Sequence, residues 1–517
     1  MSEDKLQFLI PTRLAVDSLK GRLLRSFPLT DEGQNARRRH FFDTFDWRLY
    51  RHQLTLEEEQ TDHGKRLVMR DLATGAVQRW VDNVEMPRFA ADLVRGPFRD
   101  RLLELTAMRA LLPVAEIRSH GHQLRLRDRE EKTVARIEVE LAALNGDAQV
   151  RRLPKRLHIL PVRGHGKPAR MLTRYAAEQL ELPQAQTSLL DDALAATGRK
   201  AANYTNTPHI ELDPEEPAEQ ALRRILLRQL DTMEVNVPGT CQYIDTEYLH
   251  DLRVAVRRTR SLLSQFPSVF PEEQLAPFRQ EFGWLGTVTG PCRDLDVHLL
   301  GFDGYQAQLK LAMQPALEPL RRYLVRQHSI EQHRLNAWLH SPRFRALMTN
   351  WRAYLSEPRQ DMADGSQPIK ELADKNIWAL YRKVSKRGRK IGKKTPAARL
   401  HRLRIHCKKL RYLIEFFRDF YPVKRIAPLI SRLKTLQRNL GEFHDYCIQA
   451  ETLQHIGEVI DNQKLAGPET STAINALTKK LEKQQRRARN EFAGIFAEFD
   501  RPASNKKARR LFRRERR

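Results

Sequence analysis

The chain has 517 residues, of which 41% are hydrophobic and 30% are charged, and its formal net charge at pH 7 is +27. This length is too great for one ordinary core, so we expect two domains, and the lack of any run of about 18 apolar residues excludes a membrane-spanning helix. Residues 1–200 carry a net charge of +7 and residues 201–517 carry +20. Because so much like charge is best tolerated beside counter-charge, we expect the second part to bind an anion.

The first 200 residues predict a domain built mainly from strands. Short apolar runs are separated by turn-forming residues, such as Thr74-Gly75 and Asn145-Gly146-Asp147, and this pattern indicates an antiparallel sheet. Residues 14–24 and 168–182 have helical periodicity. The predicted strands are residues 6–10, 66–69, 78–81, 123–127, 134–141 and 157–162.

A change of pattern follows at residues 201–216, which are polar, acidic and proline-containing and predict a linker. From residue 217 to about 500 the apolar period of 3.6 predicts an all-helical domain. Residues 501–517 contain nine Lys or Arg and one Glu, and predict a disordered basic tail. The predicted helices are residues 217–236, 247–266, 272–286, 293–313, 369–389, 398–420, 424–440 and 469–499.

The helical part repeats itself. Residues 250–294 align with residues 401–445 at a constant offset of 151, without a gap. A duplicated helical unit is therefore predicted. The twelve identical pairs are His250/His401, Leu252/Leu403, Arg253/Arg404, Arg260/Arg411, Leu262/Leu413, Phe266/Phe417, Pro271/Pro422, Ala276/Ala427, Pro277/Pro428, Leu285/Leu436, Gly290/Gly441 and Asp294/Asp445.

Each copy predicts an amphipathic helix with a row of basic side chains opposite an apolar face. A row with one cation per turn, about 5.4 Å apart, suits a ligand with closely repeated negative charge, because Arg and Lys both bind phosphate oxygens. A solvated helix face is the alternative, but it gives no reason for the same order of residues to recur. The two basic rows are His250, Arg253, Arg257 and Arg260 in the first copy, and His401, Arg404, Lys408 and Arg411 in the second.

A further basic run, YRKVSKRGRKIGKK, lies just before the second copy and contains no acidic residue. We expect it at one end or along the rim of the same surface. The residues of this run that we assign to anion binding are Arg382, Lys383, Lys386, Arg389 and Lys390.

Acidic residues follow the glycines Gly290 and Gly441 of the repeat, where a carboxylate caps a helix or pairs with a basic row. His298 and His444 also lie beside acidic residues, which suggests a metal site, but capping explains the carboxylates better. The residues to which we assign an orienting role are Arg293, Asp294, His444 and Asp445.

The chain has four cysteines and no CxxC pair, so we predict no metal site and no cofactor. This cysteine usage fits a reducing cytoplasm. The first 14 residues also lack the apolar segment of a signal peptide, so we expect a cytoplasmic protein.

The two copies closely resemble the CHAD family, the conserved-histidine α-helical domains. The resemblance covers residues 217–500 and rests on HDLRVAVRRTRSLL with GPCRDLD, and on HRLRIHCKKLRYLIEF with LQRNLGEFHD. It implies two pseudo-symmetric four-helix bundles and a basic surface that binds inorganic polyphosphate. Carried over residue by residue, that surface includes the two basic rows and Lys409.

Residues 1–200 resemble a degenerate CYTH domain, the triphosphate-tunnel fold, through HFFDTFDWRLYRHQLTL and VARIEVELAAL. The resemblance implies an antiparallel β tunnel or barrel, and hence an α+β multidomain chain. The family's opening ExExK, which supplies metal-binding carboxylates, is replaced here by LQFLI at residues 6–10, and Glu57, Glu58 and Glu59 replace basic residues. Because hydrolysis in such a tunnel needs carboxylates that hold a divalent metal, we expect no catalysis. The alternation of Arg125, Arg127, Arg129, Glu138 and Glu140 suits either weak anion binding in the tunnel or an ordinary half-buried strand.

These features favour a non-catalytic protein that binds inorganic polyphosphate, either as soluble polymer or at polyphosphate granules. One alternative is a metal-dependent triphosphatase or short-chain polyphosphate hydrolase that acts in the CYTH domain. A second is a nucleic-acid-binding protein, which the charge and the basic tail suggest but which lacks aromatic residues between the basic ones. No membrane partner is expected.

Overall fold

The computed structural model describes residues 6–61, 64–144, 151–162, 164–206, 210–357, 364–392 and 394–513. The predicted turn at 145–147 and Lys393 of the basic run lie outside these residues. The chain divides into two compact units, Met1–Thr207 and Pro208–Arg517. Within the described ranges, no helix is both long and apolar enough to cross a membrane.

The N-terminal unit is built on one antiparallel sheet, as the sequence predicted. Its strand order is β1-β9-β7-β6-β2-β3-β4-β5, and β8 pairs with β7. The strands are β1 Leu6–Ile10, β2 Leu29–Asp43, β3 Leu54–Thr61, β4 Gly64–Asp71, β5 Val77–Asp82, β6 Leu112–Arg127, β7 Thr133–Leu144, β8 Arg151–Arg152 and β9 Lys155–Pro161.

Strand β7 shows how this sheet separates a core face from a polar face. Ile137 and Val139 belong to an apolar cluster with Leu157 on β9, whereas the alternate residues Glu138 and Glu140 line a cavity. Short helices cover the apolar parts of the sheet. These helices are α1 Val16–Ser26, α2 Arg48–Arg51, α3 Pro97–Thr106, α4 Gly166–Arg174 and α5 Leu189–Ala196, and a π-helical turn follows at Tyr175–Gln179.

The C-terminal unit is helical in its described residues apart from short connections. Its first helices are α6 Ala218–Cys241, α7 Thr246–Gln265, α8 Glu272–Val288, α9 Gly290–Leu300, α10 Phe302–Ala307, α11 Glu318–Leu339 and α12 Pro342–Ser356. The remaining helices are α13 Ile369–Gly388, α14 Ala397–Phe416, α15 Val423–Asn462, α16 Pro468–Phe499 and α17 Pro502–Phe512.

Two predictions for this unit need correction. Residues 293–313 were predicted as one helix, but α9 ends at Leu300 and α10 begins at Phe302, with Gly301 between them, since glycine is a weak helix former. The tail was predicted to be disordered, but residues 502–512 form α17. Ala508 and Phe512 lie four residues apart on one helix face and are both buried, so this face packs although the rest of the helix is basic.

The main core of the helical unit contains residues from both copies of the repeat. Leu252 and Leu262 from α7 belong to the same apolar cluster as Leu403 and Leu413 from α14. The apolar faces of the two copies therefore point toward a common interior, which leaves their basic rows on the opposite faces.

Candidate anion-binding site

Local capping determines where the first basic row begins. The side chain of Asp245 accepts hydrogen bonds from the backbone N–H groups of Glu247 (2.9 Å) and Tyr248 (3.3 Å), and α7 begins at Thr246. A carboxylate at this position satisfies N–H groups that have no partner within the helix. The equivalent helix α14 begins after Pro396. Proline disfavours the helical conformation in the residue before it, so the helix does not continue toward the N-terminus.

Reciprocal contacts hold α7 and α14 against each other. Lys409 Nζ donates a hydrogen bond to Ser264 Oγ at 2.9 Å, and Arg258 Nη2 lies 3.5 Å from Glu415 Oε2. The offset of 151 converts Arg258 into Lys409 and Ser264 into Glu415. Each contact is thus the counterpart of the other when the copies are exchanged, as across a two-fold axis.

The two basic rows meet at a cluster that we call the cationic junction, which consists of Arg257, Arg404, Lys408 and Arg411. Burial, followed by the charges of Arg257 and Arg404, lowers the pKa of Lys408 to about 7. Burial lowers the pKa of Arg404 as well, and Arg257 adds to that effect. Since Arg257 comes from α7 and the other three come from α14, charges of both copies repel one another here.

The cationic junction contains buried N–H donors that make no hydrogen bond to any residue that the structure describes. The Nε atoms of Arg257 and Arg404 are buried, and neither has a hydrogen-bond acceptor among the described residues. Buried donors are normally paired, because an unsatisfied one costs about 1–3 kcal/mol. An anion in contact with the junction would supply both the missing acceptors and the missing negative charge.

Carboxylates near the basic rows neutralise only part of the positive charge of these rows. Asp445 lies 3.4 Å from Arg404, and Glu415 lies 3.2 Å from Arg411. The side chain of Asp445 is 56% exposed, so its ion pair with Arg404 is accessible to water and to a competing anion. Lys408 has no carboxylate within 4.0 Å among the residues that the structure describes.

The first row is anchored to helix α8. Arg253 Nη1 donates hydrogen bonds to the backbone carbonyl of Gly286 (3.0 Å) and to Thr289 Oγ1 (2.8 Å). Burial lowers the pKa of Arg253, and Asp294 opposes this effect. Arg260, near the end of the row, is exposed.

The histidines of the site are half-buried. The rings of His401 and His444 are in contact and tilted by 49°, with their centroids 4.4 Å apart and their Nδ1 atoms 3.3 Å apart. Burial and the charge of Arg404 lower the pKa of His444 to about 4, so this ring is neutral at pH 7. The structure thus brings His444 next to the second row, whereas His250 lies half-buried on α7.

The basic run on α13 is only partly joined to the rows. Burial and the charges of Lys383 and Arg260 lower the pKa of Lys409, so both of these cations lie near Lys409. Arg389 forms a bidentate ion pair with Asp500, at 2.6 and 3.0 Å. The side chains of this run that are exposed and have no ion pair among the described residues are Arg382, Lys383, Lys386, Lys390 and Lys394.

Sequence reasoning missed two residues of this region, Arg258 and Glu415. Arg258 is 6% exposed and its guanidinium lies over the ring of Tyr412, 5.7 Å from the ring centroid. The alignment pairs Arg258 with Lys409. That pairing was the available signal, because a residue that contacts the partner copy is expected to have a counterpart that does the same.

The orienting residue Arg293 lies on α9. Its Nη1 donates a hydrogen bond to the Thr246 carbonyl at 3.1 Å, and its Nη2 lies 3.7 Å from Glu247. Arg293 therefore joins the start of α9 to the first turn of α7.

The N-terminal unit contains a separate cavity of about 310 Å³ in which cations and carboxylates pair with each other. Glu59 is fully buried and does not line the cavity itself, but it pairs with Arg70 and Arg66, which do. Burial alone would raise the pKa of Glu59, but Arg70 and Arg66 lower it to about 2. Glu57 and Glu59, two of the three glutamates that replace basic residues of the family, thus form internal ion pairs.

Two carboxylates that line the cavity, Glu138 and Glu140, are also paired with cations. Arg39 pairs with Glu140, which also accepts a hydrogen bond from His158 Nε2 at 2.8 Å, and Arg37 lies 3.0 Å from Glu138. Arg125 lines this cavity, but Arg127 and Arg129 are not among its lining residues.

Comparison with known proteins bears mainly on the helical unit. Residues 224–454 match the family model described as the CHAD domain. The CHAD domain of the plant Ricinus communis is 25% identical to this chain over 60% of it and 96% of that domain, with a TM-score of 0.46. PptA from Streptomyces chartreusis is 16% identical over 54% of this chain and 99% of its own, with a TM-score of 0.43.

A further similar structure is that of an adenylyl cyclase from Hippeastrum described as having a dominant triphosphatase activity. It is 13% identical, covers 39% of this chain and 99% of its own, and has a TM-score of 0.27. No curated protein matches the chain.

Proposed function

Because the chain carries a CHAD domain at residues 224–454, we propose that it is a non-catalytic protein that binds inorganic polyphosphate through this domain. The observation that carries the proposal is the meeting of the two basic rows at the cationic junction, where Lys408 is surrounded by arginines of both copies. Such repulsion is tolerated best when a polyanion neutralises it.

The arrangement favours a long anion over a single phosphate. Each row spans eleven residues along its helix, from His250 to Arg260 and from His401 to Arg411, and its two ends are about 15 Å apart along the helix axis. A single phosphate can engage one or two arginines, whereas a chain of phosphates can engage successive turns of both helices. A protein that binds the long polymer in this way would also associate with polyphosphate granules.

The ion pairs of the N-terminal cavity support the non-catalytic part of the proposal. A divalent metal needs carboxylate oxygens that are free to coordinate it, but Glu57, Glu59, Glu138 and Glu140 each lie against an arginine. The alternative is a metal-dependent triphosphatase. Release of phosphate from tripolyphosphate in the presence of Mg²⁺ or Mn²⁺ would establish that alternative.

Nucleic acid is the second alternative ligand. Polyphosphate and nucleic acid both bind more weakly as salt increases, because both are polyanions, so salt dependence cannot separate them. The deciding experiment is competition with the full-length protein at fixed salt. We expect long-chain polyphosphate to displace labelled single-stranded DNA at a much lower phosphate concentration than DNA needs to displace polyphosphate, and the reverse order would reject the proposal.

A further inference from the structure

Helices α9 and α11 enclose a buried polar cluster that has no part in the basic rows. Cys292 and Asp296 lie four residues apart on one face of α9, and His328 faces them from α11. Their exposed fractions are 1%, 0% and 6%. One sulfur, one carboxylate oxygen and one ring nitrogen lie within 4.8 Å of one another, so three different donor atoms converge on one point.

We propose that Cys292, Asp296 and His328 bind a divalent metal ion of the zinc class. Zinc forms bonds of about 2.3 Å to thiolate sulfur and about 2.0 Å to histidine nitrogen, which in a tetrahedral site places these two atoms about 3.5 Å apart. The observed distance between Cys292 Sγ and His328 Nε2 is 3.6 Å. His328 Nε2 lies 2.9 Å from Asp296 Oδ1, so that pair needs to open by only a few tenths of an ångström.

A fourth donor, an oxygen of Gln332, lies beside Cys292. Gln332 Oε1 lies 3.2 Å from Cys292 Sγ. The Nε2 atom of the same side chain donates a hydrogen bond to the Thr240 carbonyl at 2.8 Å. This second contact fixes the amide so that its oxygen faces the thiol. The four side chains together offer a mixed sulfur, nitrogen and oxygen set, which borderline-soft metals prefer over Ca²⁺ or Mg²⁺.

The cluster is incompletely satisfied as a set of hydrogen bonds alone. Asp296 Oδ1 accepts from His328 and, at 3.4 Å, from the Tyr243 hydroxyl. Asp296 Oδ2 is buried without a hydrogen-bond donor in the described part of the chain, and its ion-pair neighbour Arg293 Nη1 is 3.8 Å away. A buried carboxylate oxygen without a donor destabilises the folded protein, and a bound cation would remove this destabilisation.

The repeat supplies an internal comparison. The offset of 151 places Phe443 where the first copy has Cys292, and Phe443 is buried at 3% exposure. An apolar side chain therefore suffices for packing at this position.

Charge balance also fits a metal, since one thiolate and one carboxylate neutralise a dication. Binding releases the thiol proton to solvent, one proton for each metal ion.

The test uses the full-length protein, freed of metal by a chelator and titrated with Co²⁺ as a spectroscopic probe in the absence of polyphosphate. We expect one equivalent to bind, with a thiolate-to-cobalt charge-transfer band and intense visible bands of tetrahedral Co²⁺, and Zn²⁺ to displace it. Cys292→Ser and His328→Gln should each abolish the charge-transfer band or weaken binding at least tenfold. Cys407→Ser and His298→Gln, which alter a buried cysteine and a buried histidine outside the cluster, should leave the titration unchanged.

A second measurement covers variants that fold poorly. Zn²⁺ should raise the Tm of the wild-type protein and of Cys407→Ser equally, and at the same concentration it should raise the Tm of His328→Gln less or not at all. The inference is rejected if the wild-type protein gives no charge-transfer band, or if the band survives in Cys292→Ser. Either result leaves the polyphosphate proposal untouched, because the basic rows contribute no ligand to this cluster.

Discussion

The rings of Phe266 and Phe417 pack edge to face, with their centroids 5.9 Å apart. These two residues are equivalent in the repeat, and a residue can contact its own counterpart only where a two-fold axis passes close to both. The same axis accounts for the paired contacts of Lys409 and Arg258 across the copies. It also explains why the basic rows of α7 and α14 meet instead of lying on distant surfaces.

Removal of charge at the cationic junction should weaken polyphosphate binding without loss of stability. We expect Arg257→Gln and Arg404→Gln each to reduce affinity about tenfold or more, because a hydrogen bond to a charged group contributes about 1.5–3 kcal/mol. Both changes relieve repulsion on Lys408, so the Tm should stay constant or rise slightly. Titration with polyphosphate of defined length, together with thermal unfolding, measures both effects.

The matched control is Arg326→Gln on α11, an exposed position outside the repeat. This change removes the same charge from the chain, so it should reduce affinity by less than twofold if the contacts are local. An equal loss of affinity in Arg326→Gln would mean that net charge, and not the junction, determines binding.

Polyphosphate binding should weaken as the pH rises above 7. The pKa of Lys408 is about 7 in the free protein, and a bound polyanion favours the protonated amine, so binding takes up a proton. Affinity should therefore fall by up to about tenfold per pH unit between pH 7 and pH 9. Titrations at pH 6.5, 7.5 and 8.5 test this, and Lys408→Arg, whose side chain stays charged, should flatten the dependence. A wild-type affinity that does not change with pH contradicts the assignment.

The neutral ring of His444 should make the helical unit less stable in acid. Its pKa is lowered to about 4 in the folded protein, whereas a histidine of an unfolded chain titrates near 6.5. Between these values the unfolded chain binds more protons, so stability is lost as the pH falls from about 6.5 to about 4. The midpoint of urea unfolding should drop over this range, and it should drop less in His444→Gln. An equal drop in both proteins would show that other groups are responsible.

Glu59→Gln should destabilise the N-terminal unit and spare polyphosphate binding. Glu59 is fully buried and pairs with Arg70, which is 14% exposed, and breaking such a pair costs about 3–5 kcal/mol. Unfolding by denaturant measures the loss of stability, and Glu104→Gln, at an exposed position on α3, should change it little. A concurrent loss of polyphosphate affinity would place the N-terminal cavity in the binding site.

The parts of the fold that sequence predicted are those in which local pattern and tertiary packing agree. The antiparallel sheet and most helices of the C-terminal unit follow from apolar periodicity. Strand β2 was missed because residues 29–39 are mostly polar. Side chains of this strand form ion pairs with residues far along the chain, such as Arg39 with Glu140. Helix α17 was missed because charge masked the few apolar residues that bury it.

Sequence indicated the basic rows but not their environment. Periodicity placed His401, Arg404 and Lys408 on one arc of a helix. The repeat then gave the equivalent residues on the helix of the first copy, α7. That Lys408 is largely shielded from water, or that Arg389 is bound by Asp500, depends on contacts between residues far apart in the chain. The cluster of Cys292 with His328 could not be predicted for the same reason, since its ligands lie on helices separated by α10.

The shared core of α7 and α14 also bears on how the helical unit behaves as a whole. Because side chains of both copies lie in one apolar cluster, cutting the chain between them would expose that cluster to water on each side. The unit is thus comparable to a homodimer whose subunits have been joined into a single polypeptide. We expect its halves to melt together in one cooperative transition and to be insoluble when expressed apart.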